Sequence, residues 1–421
     1  MTDFLGLLAY LLLPLIGIAV WRFDFVRRMP LAARLAVATA AGTLFIAVLM
    51  ATLSLAGIQW SRSLLFPLTL AIIIGGIVLV RRAHPVDAVK TPVNKFALAA
   101  TIICVALTIY GTVTARESCG DFQFTWGPKA IQFFRAGGID PAVLKSYPQL
   151  TVDYPPLQTL LLAFSNTFSH QLSWWAGVLA SPLLFIALLA LIRGFSGDDY
   201  GTLLVAATLS FTYTLSYPAG CAEPPLLLFE ALVIAGLTFL DDPRAQTLVA
   251  TIGLAGAVFT KLEGTTFAIA ALITIVLVQR QFKRAVIAAI PAAILIGGWM
   301  LFVFHNDLLW MYRGAALPMY PETLPVVLKT LAKVAKFELW WLPWIVPAVL
   351  IAFGNVRRAL VPLSIFVLTC CATIYFYVHY PDPVWWIESS SPRVIQTPLL
   401  ALLIAAVAAN KREGQGLRAE G

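Results

Sequence analysis

Charge is scarce in this chain: Asp, Glu, Lys and Arg make up 12% of its 421 residues, against 60% hydrophobic, and the mean hydropathy is +0.86. A water-soluble domain of this length needs no such excess of apolar residues, so that class is excluded. Metal-ligand patterns are also missing. The five cysteines show no ligand spacing, and His84, His170, His305 and His379 are scattered, so neither a zinc nor a haem site is indicated. No Walker-type loop or dinucleotide fingerprint occurs, which removes ATP as an expected driver. The first apolar run lacks a basic leader and a small-residue exit, and it is expected to stay as a helix rather than be cleaved. No internal repeat is visible.

What is present is a succession of apolar runs of about 20 residues, each able to cross ~30 Å of hydrocarbon as a helix. About thirteen are expected. They lie near Phe4 to Val20, Leu31 to Leu55, Leu64 to Val80, Phe96 to Val113, Leu172 to Ile192, Thr202 to Tyr217, Leu226 to Leu240, Thr247 to Phe259, Thr265 to Val278, Ala285 to Phe304, Leu342 to Phe353, Ala359 to Val378 and Thr397 to Ala409. The expected fold is an all-α polytopic membrane protein. Residues 1–95 are read as N-terminal membrane helices, 96–410 as a membrane core with outer loops 114–171, 305–341 and 379–396, and 411–421 as a cytoplasmic tail.

Lys and Arg in short loops stay on the cytoplasmic side. With the N-terminus outside and strict alternation, 18 of the 29 Lys and Arg fall inside and 11 outside. Eight of those 11 lie in two long outer loops that the rule discounts, leaving Arg62, Lys261 and Arg393 in short ones. The chain is thus expected in a cell (inner) membrane, with the net charge of +8 mostly anchoring it to anionic lipid. Nucleic-acid binding has no support.

Five segments break the aliphatic background on the expected outer face. In the first, Gly120 and Asp121 precede a helical-looking stretch, Gly127 to Arg135, with Pro128 in its first turn and Gly137 and Gly138 at its end. Its Trp126, Phe133 and Phe134 give an apolar side suited to lying on the membrane. Asp153-Tyr154-Pro155-Pro156 closes that loop, and Leu157 to Phe164 is too short to span, so a re-entrant or interfacial helix is expected. The others are Gly220 to Pro225 with Glu223, Thr260 to Gly264 with Lys261 and Glu263, Asn306 to Trp341 with Arg313 and a basic helix-like stretch Val326 to Phe337, and Pro381 to Pro398 with Arg393.

Asp121 with Phe124, Trp126 and Ala130, then Tyr154-Pro155-Pro156-Leu157, Ala222-Glu223, Thr260-Lys261-Leu262-Glu263-Gly264 and Pro392-Arg393 occur in this order along about three hundred residues. In them the chain resembles the GT-C fold glycosyltransferases, which include protein O-mannosyltransferases and the bacterial aminoarabinose transferase. Many of those have two acids at the start of the loop, whereas Phe122 follows Asp121 here. About three spans also precede the one that would be the family's first. The resemblance implies an enzyme that moves a sugar from a polyprenyl-phosphate donor to a hydroxyl of a glycan, lipid or protein acceptor at the outer face.

Such a donor already carries a good leaving group, so the enzyme must deprotonate the acceptor and stabilise the departing phosphate. The resemblance therefore casts Asp121 as general base and Lys261 and Arg393 as the phosphate grip, with Tyr154, Glu263 and Arg313 as further substrate contacts. Glu223 would be a second acid, orienting the acceptor or holding a divalent cation together with Asp121. Each has a plainer reading. Asp121 is a good N-cap, Lys261 and Glu263 could be a solvated pair, Arg393 a headgroup anchor, and Glu223 a partner of a helix dipole. Tyr154 and Trp126, Trp174, Trp175, Trp340, Trp341, Trp344, Trp385 and Trp386 fit an aromatic belt. Glu230, on the face of Glu223 but inside a span, is a lesser candidate.

Two rival classes keep a place. A secondary transporter or lipid flippase would place ionisable residues near the midplane in repeated halves. A surface polysaccharide polymerase or ligase would share the lipid-linked donor but carry its largest outer loop late in the chain. Cys119 and Cys221 each stand two residues before a candidate acid, Asp121 and Glu223, and a disulfide between them on the oxidising side is a further expectation.

Overall fold

The computed structural model describes residues 2–83, 92–114, 120–146, 152–215, 219–308, 318–336 and 341–411. Among them every regular element is helical, as the long apolar runs require. Two short helices, α1 (Thr2–Leu11) and α2 (Leu13–Ile16), continue through a 3₁₀ stretch, Gly17–Arg22, toward the small α3 (Asp24–Arg28). The long α4 (Leu31–Leu55), α5 (Arg62–Arg81) and α6 (Lys95–Thr114) follow. Here α2 lies directly on α4, and a Cβ on Gly17 or Gly42 would strike the opposing backbone. Small residues at a crossing let membrane helices approach closely.

After α6 a π-helical stretch, Phe122–Trp126, runs into α7 (Gly127–Ala136), which stops where Gly137 turns left-handed at φ 65°. The Gly137 carbonyl accepts from the Trp60 amide at 2.7 Å, and the Ile139 amide donates to Ser54 Oγ at 2.8 Å. These bonds tie the loop to the turn after α4. The short α8 (Pro141–Ser146) and α9 (Leu157–Ser169) complete this region.

Two expectations change here. The apolar side of α7 does not lie on lipid: Phe133 is fully buried and meets Trp60 edge-on, and α7 packs on α9. All thirteen residues of α9 are buried, so this helix is enclosed by protein, which removes the interfacial alternative and leaves the re-entrant one. It packs against α1, α4 and α7.

The remainder comprises α10 (Trp174–Ser196), α11 (Asp199–Leu215), α12 (Glu223–Phe239), α13 (Pro243–Thr260), α14 (Leu262–Leu277), α15 (Phe282–His305), α16 (Leu324–Ala335), α17 (Leu342–Phe353), α18 (Val356–Tyr377), α19 (Pro383–Val394) and α20 (Gln396–Asn410). α12 and α20 form the interior, with nearly every residue buried. α15 shows the opposite face, exposing Ile287, Ile290, Ile294, Leu301 and Phe304. So much bare hydrocarbon is what lipid tails cover.

Among the described residues, eight helical segments are long and apolar enough to cross a membrane. The chain is therefore a helical protein embedded in a membrane. Five of the thirteen expected spans, α11, α12, α13, α14 and α17, are helices that fall short of that standard. At 1.5 Å per residue the 12 residues of α17 reach only ~18 Å.

Candidate functional site

Asp121 sits in helical backbone and caps nothing. Its carboxylate instead accepts from the Arg393 guanidinium, 272 residues away in sequence. Arg393 is presented by α19, which is itself held from two sides. Lys333 Nζ on α16 lies 2.8 Å from Glu388 Oε1, and the Tyr377 hydroxyl on α18 lies 2.8 Å from Ser390 Oγ.

From Arg393 the ion pairs continue inward. Its Nη1 is 3.8 Å from Glu223 Oε1 at the first turn of α12, and Lys261 Nζ is 2.9 Å from the same oxygen and 2.9 Å from Glu263 Oε1. Lys261 is the extended residue between α13 and α14, a break that aims its side chain across at α12. The turn before Glu223 is set by Gly220, at φ 72°, where a side chain would run into the ring of Phe122. Gln158 donates to the Gly220 carbonyl at 2.9 Å and the Gly220 amide donates to Ser181 Oγ at 3.2 Å.

The chain of charges runs from wet to dry. The Asp121 side chain is 38% exposed, that of Arg393 18%, and those of Lys261 and Glu223 8% and 6%. Burial alone would push the Lys261 ammonium down, but the carboxylates of Glu223 and Glu263 outweigh it and hold the group well above its ordinary value. The supply of donors is incomplete. Glu223 Oε2, Glu263 Oε2 and Glu230 Oε2 are buried with no hydrogen bond among the described residues. Glu230, fully buried two turns along α12 from Glu223, has among the described residues only Oε1 engaged, by Thr397 Oγ1 at 2.9 Å.

Beside this network a cavity of about 210 Å³ opens between α14, α18 and the start of α20. Glu263 and Tyr154 line it, as does Thr397. The structure thus brings Asp121, Glu223, Lys261, Glu263 and Arg393 into one network, with Tyr154 at the adjoining cavity. Arg313, Cys119 and Trp340 lie outside the described residues. Among those described, no group of three or more His, Cys, Asp or Glu side chains is placed to hold a metal ion. Trp126 is no belt residue: it is 2% exposed and meets Tyr154 edge-on with ring centres 5.9 Å apart.

Lys129, one of the eight Lys and Arg in the two long outer loops, is fully buried. Its Nζ donates to the Tyr154 carbonyl at 3.3 Å and lies 6.0 and 5.7 Å from the rings of Trp126 and Trp299. The available signal was its place on the same helical face as Trp126, Ala130 and Phe133. Burial pushes this ammonium down to about 7, against the opposing pull of Asp153. In the unfolded chain it titrates near ~10.4. Between these values the unfolded state holds the proton and the folded state does not, so stability rises with pH from about 7 to about 10. The midpoint of thermal unfolding should rise more between pH 7 and 9.5 in the wild type than in Lys129→Met. Parallel profiles would show that Lys129 is not neutralised by folding.

No family model, no curated protein and no solved structure matches the chain.

Proposed function

We propose that this protein is a GT-C-like membrane glycosyltransferase, moving a sugar from a polyprenyl-phosphate donor to an acceptor hydroxyl at the outer face. The observation that carries this reading is the convergence of Asp121, Glu223, Lys261, Glu263 and Arg393, from four distant segments, beside a cavity at one end of the bundle. Ionisable groups withdrawn from water are costly, and a cluster of them in a cleft is a mark of a working site.

Each residue then has a task. The guanidinium of Arg393 is suited to a phosphate, which it can meet with two parallel hydrogen bonds. An arriving donor phosphate competes with Asp121 for that guanidinium. The released carboxylate, at the exposed end of the network, takes the proton of the acceptor hydroxyl. Lys261 fixes Glu223 and Glu263 and adds positive potential behind the phosphate as charge builds on the leaving oxygen. Glu223 orients the acceptor. The thirteen-span topology belongs to this reading, with the five shorter helices taken as crossings too.

Glu230 gives the transporter reading its one specific support, since a buried carboxyl within a helix is typical of ion-coupled carriers. It is joined through Thr397 to the wall of the same cavity, which fits a catalytic network equally well. Vesicles of both orientations, supplied with a radiolabelled polyprenyl-phosphate sugar, separate the two. Transfer of label to an acceptor in right-side-out vesicles alone is expected. Passage of the intact donor across the bilayer, with no transfer, would overturn the enzyme reading.

A further inference from the structure

We propose that the cavity beside Glu263 is a subsite for a neutral, hydroxyl-bearing group, the sugar, and that it excludes the phosphate. This deepens the glycosyl-transfer reading and rests on it for calling that group a sugar. Among the described residues no Lys, Arg or His lines the cavity, and its charged wall residue is Glu263. An anion placed there meets a carboxylate, and the nearest ammonium, Lys261, already lies between two acids. A cationic head fares little better. It would approach Glu263 with Lys261 bound to the other oxygen of the same carboxylate.

Tyr154 and Thr266 bring hydroxyls to the wall that can donate, while its other three threonines offer mainly acceptors. Thr369 spends its proton on the Ile365 carbonyl at 2.8 Å, Thr373 on the Thr369 carbonyl at 2.9 Å and Thr397 on Glu230 at 2.9 Å. Their lone pairs face no such commitment. Among the described residues Glu263 Oε2 has no donor. Buried acceptors left unmatched are costly, and a ligand that brings donors relieves that cost. A ring of hydroxyls brings donors without charge. The remaining wall, including Phe267, Phe376 and Pro398, offers carbon surface to the apolar faces of such a ring. The space is smaller than the ~300–1,000 Å³ of drug-sized sites and suits a single sugar unit.

The test is binding without turnover. The full-length protein in lipid nanodiscs is titrated with hexyl glucoside, hexyl galactoside and hexyl mannoside, with hexylammonium and with hexyl phosphate, following intrinsic tryptophan fluorescence. At least one glycoside should bind more than ~10-fold more tightly than hexylammonium or hexyl phosphate. Ala372→Trp, which fills the cavity without touching an ion pair, should abolish that preference, and Thr373→Val should weaken it several-fold with the fold intact. Equal binding of all five probes would mean that the cavity reads only the alkyl chain, and tighter binding of the phosphate or the ammonium would reverse the assigned polarity. Either outcome overturns the proposal, as does a preference that survives Ala372→Trp. Glycoside binding in a protein that transfers no sugar would leave the subsite standing and remove the enzyme reading. Transfer without glycoside selectivity would do the opposite.

Discussion

Asp121→Asn should fold and insert as the wild type does while transferring sugar ~10²- to 10⁴-fold more slowly. The amide keeps the shape of the carboxylate and still accepts from Arg393 through its oxygen, but it cannot take a proton. Because the Asp121 side chain is 38% exposed, loss of the ion pair itself should cost no more than ~1 kcal/mol of stability. Activity and stability therefore part company, and a purely structural role would not separate them. Initial rates with labelled donor, measured beside thermal unfolding of the same preparations, decide the point. A variant retaining more than about a tenth of the wild-type rate would show that Asp121 only anchors Arg393.

Lys261→Met should have the larger effect on stability. Its ammonium bridges Glu223 and Glu263 at 2.9 Å each, and both Lys261 and Glu223 are more than nine-tenths buried. Removing Lys261 leaves the buried Glu223 carboxylate with only the longer Arg393 contact at 3.8 Å, at a cost of up to about 3–5 kcal/mol. Glu263, at 28% side-chain exposure, loses less because water screens it. Adding Glu223→Gln to Lys261→Met removes the stranded charge, so the double variant should recover much of the loss instead of summing the two single costs. Unfolding in detergent titrations of the three variants measures this cycle. Strict additivity, or a Lys261→Met protein as stable as the wild type, would mean that the ammonium is hydrated.

Much of this was legible in the sequence because membrane burial leaves few residue types with freedom to vary. Where charge is scarce, Asp121, Glu223, Lys261, Glu263 and Arg393 stand out against aliphatic neighbours, and helix ends at one side of a bundle bring them together. The start and stop of α7 were readable from Pro128 and Gly137, whose backbone preferences are local. What escaped was set by tertiary contact. The stripe of Trp126, Phe133 and Phe134 has the same pattern whether it faces lipid or a buried helix, and only the presence of α9 decides. Lys129 carries a charge that in a loop normally finds water, yet it is enclosed between Trp126 and Trp299 from a distant helix. The pairing of Lys261 with Glu223 likewise depends on how α12 and α14 meet, whereas its pairing with Glu263, two residues away, is local. The span count failed to settle at thirteen because α17 and its like are short, and hydropathy alone does not tell a short crossing from a buried helix.

The most direct test of the account is the fate of a polyprenyl-phosphate sugar, labelled in the sugar, when given with membrane acceptors to the purified protein in nanodiscs. The expected result is release of free polyprenyl phosphate in step with label appearing on an acceptor, and loss of both in Asp121→Asn. Recovery of the donor intact, with label never leaving the lipid, would contradict the account.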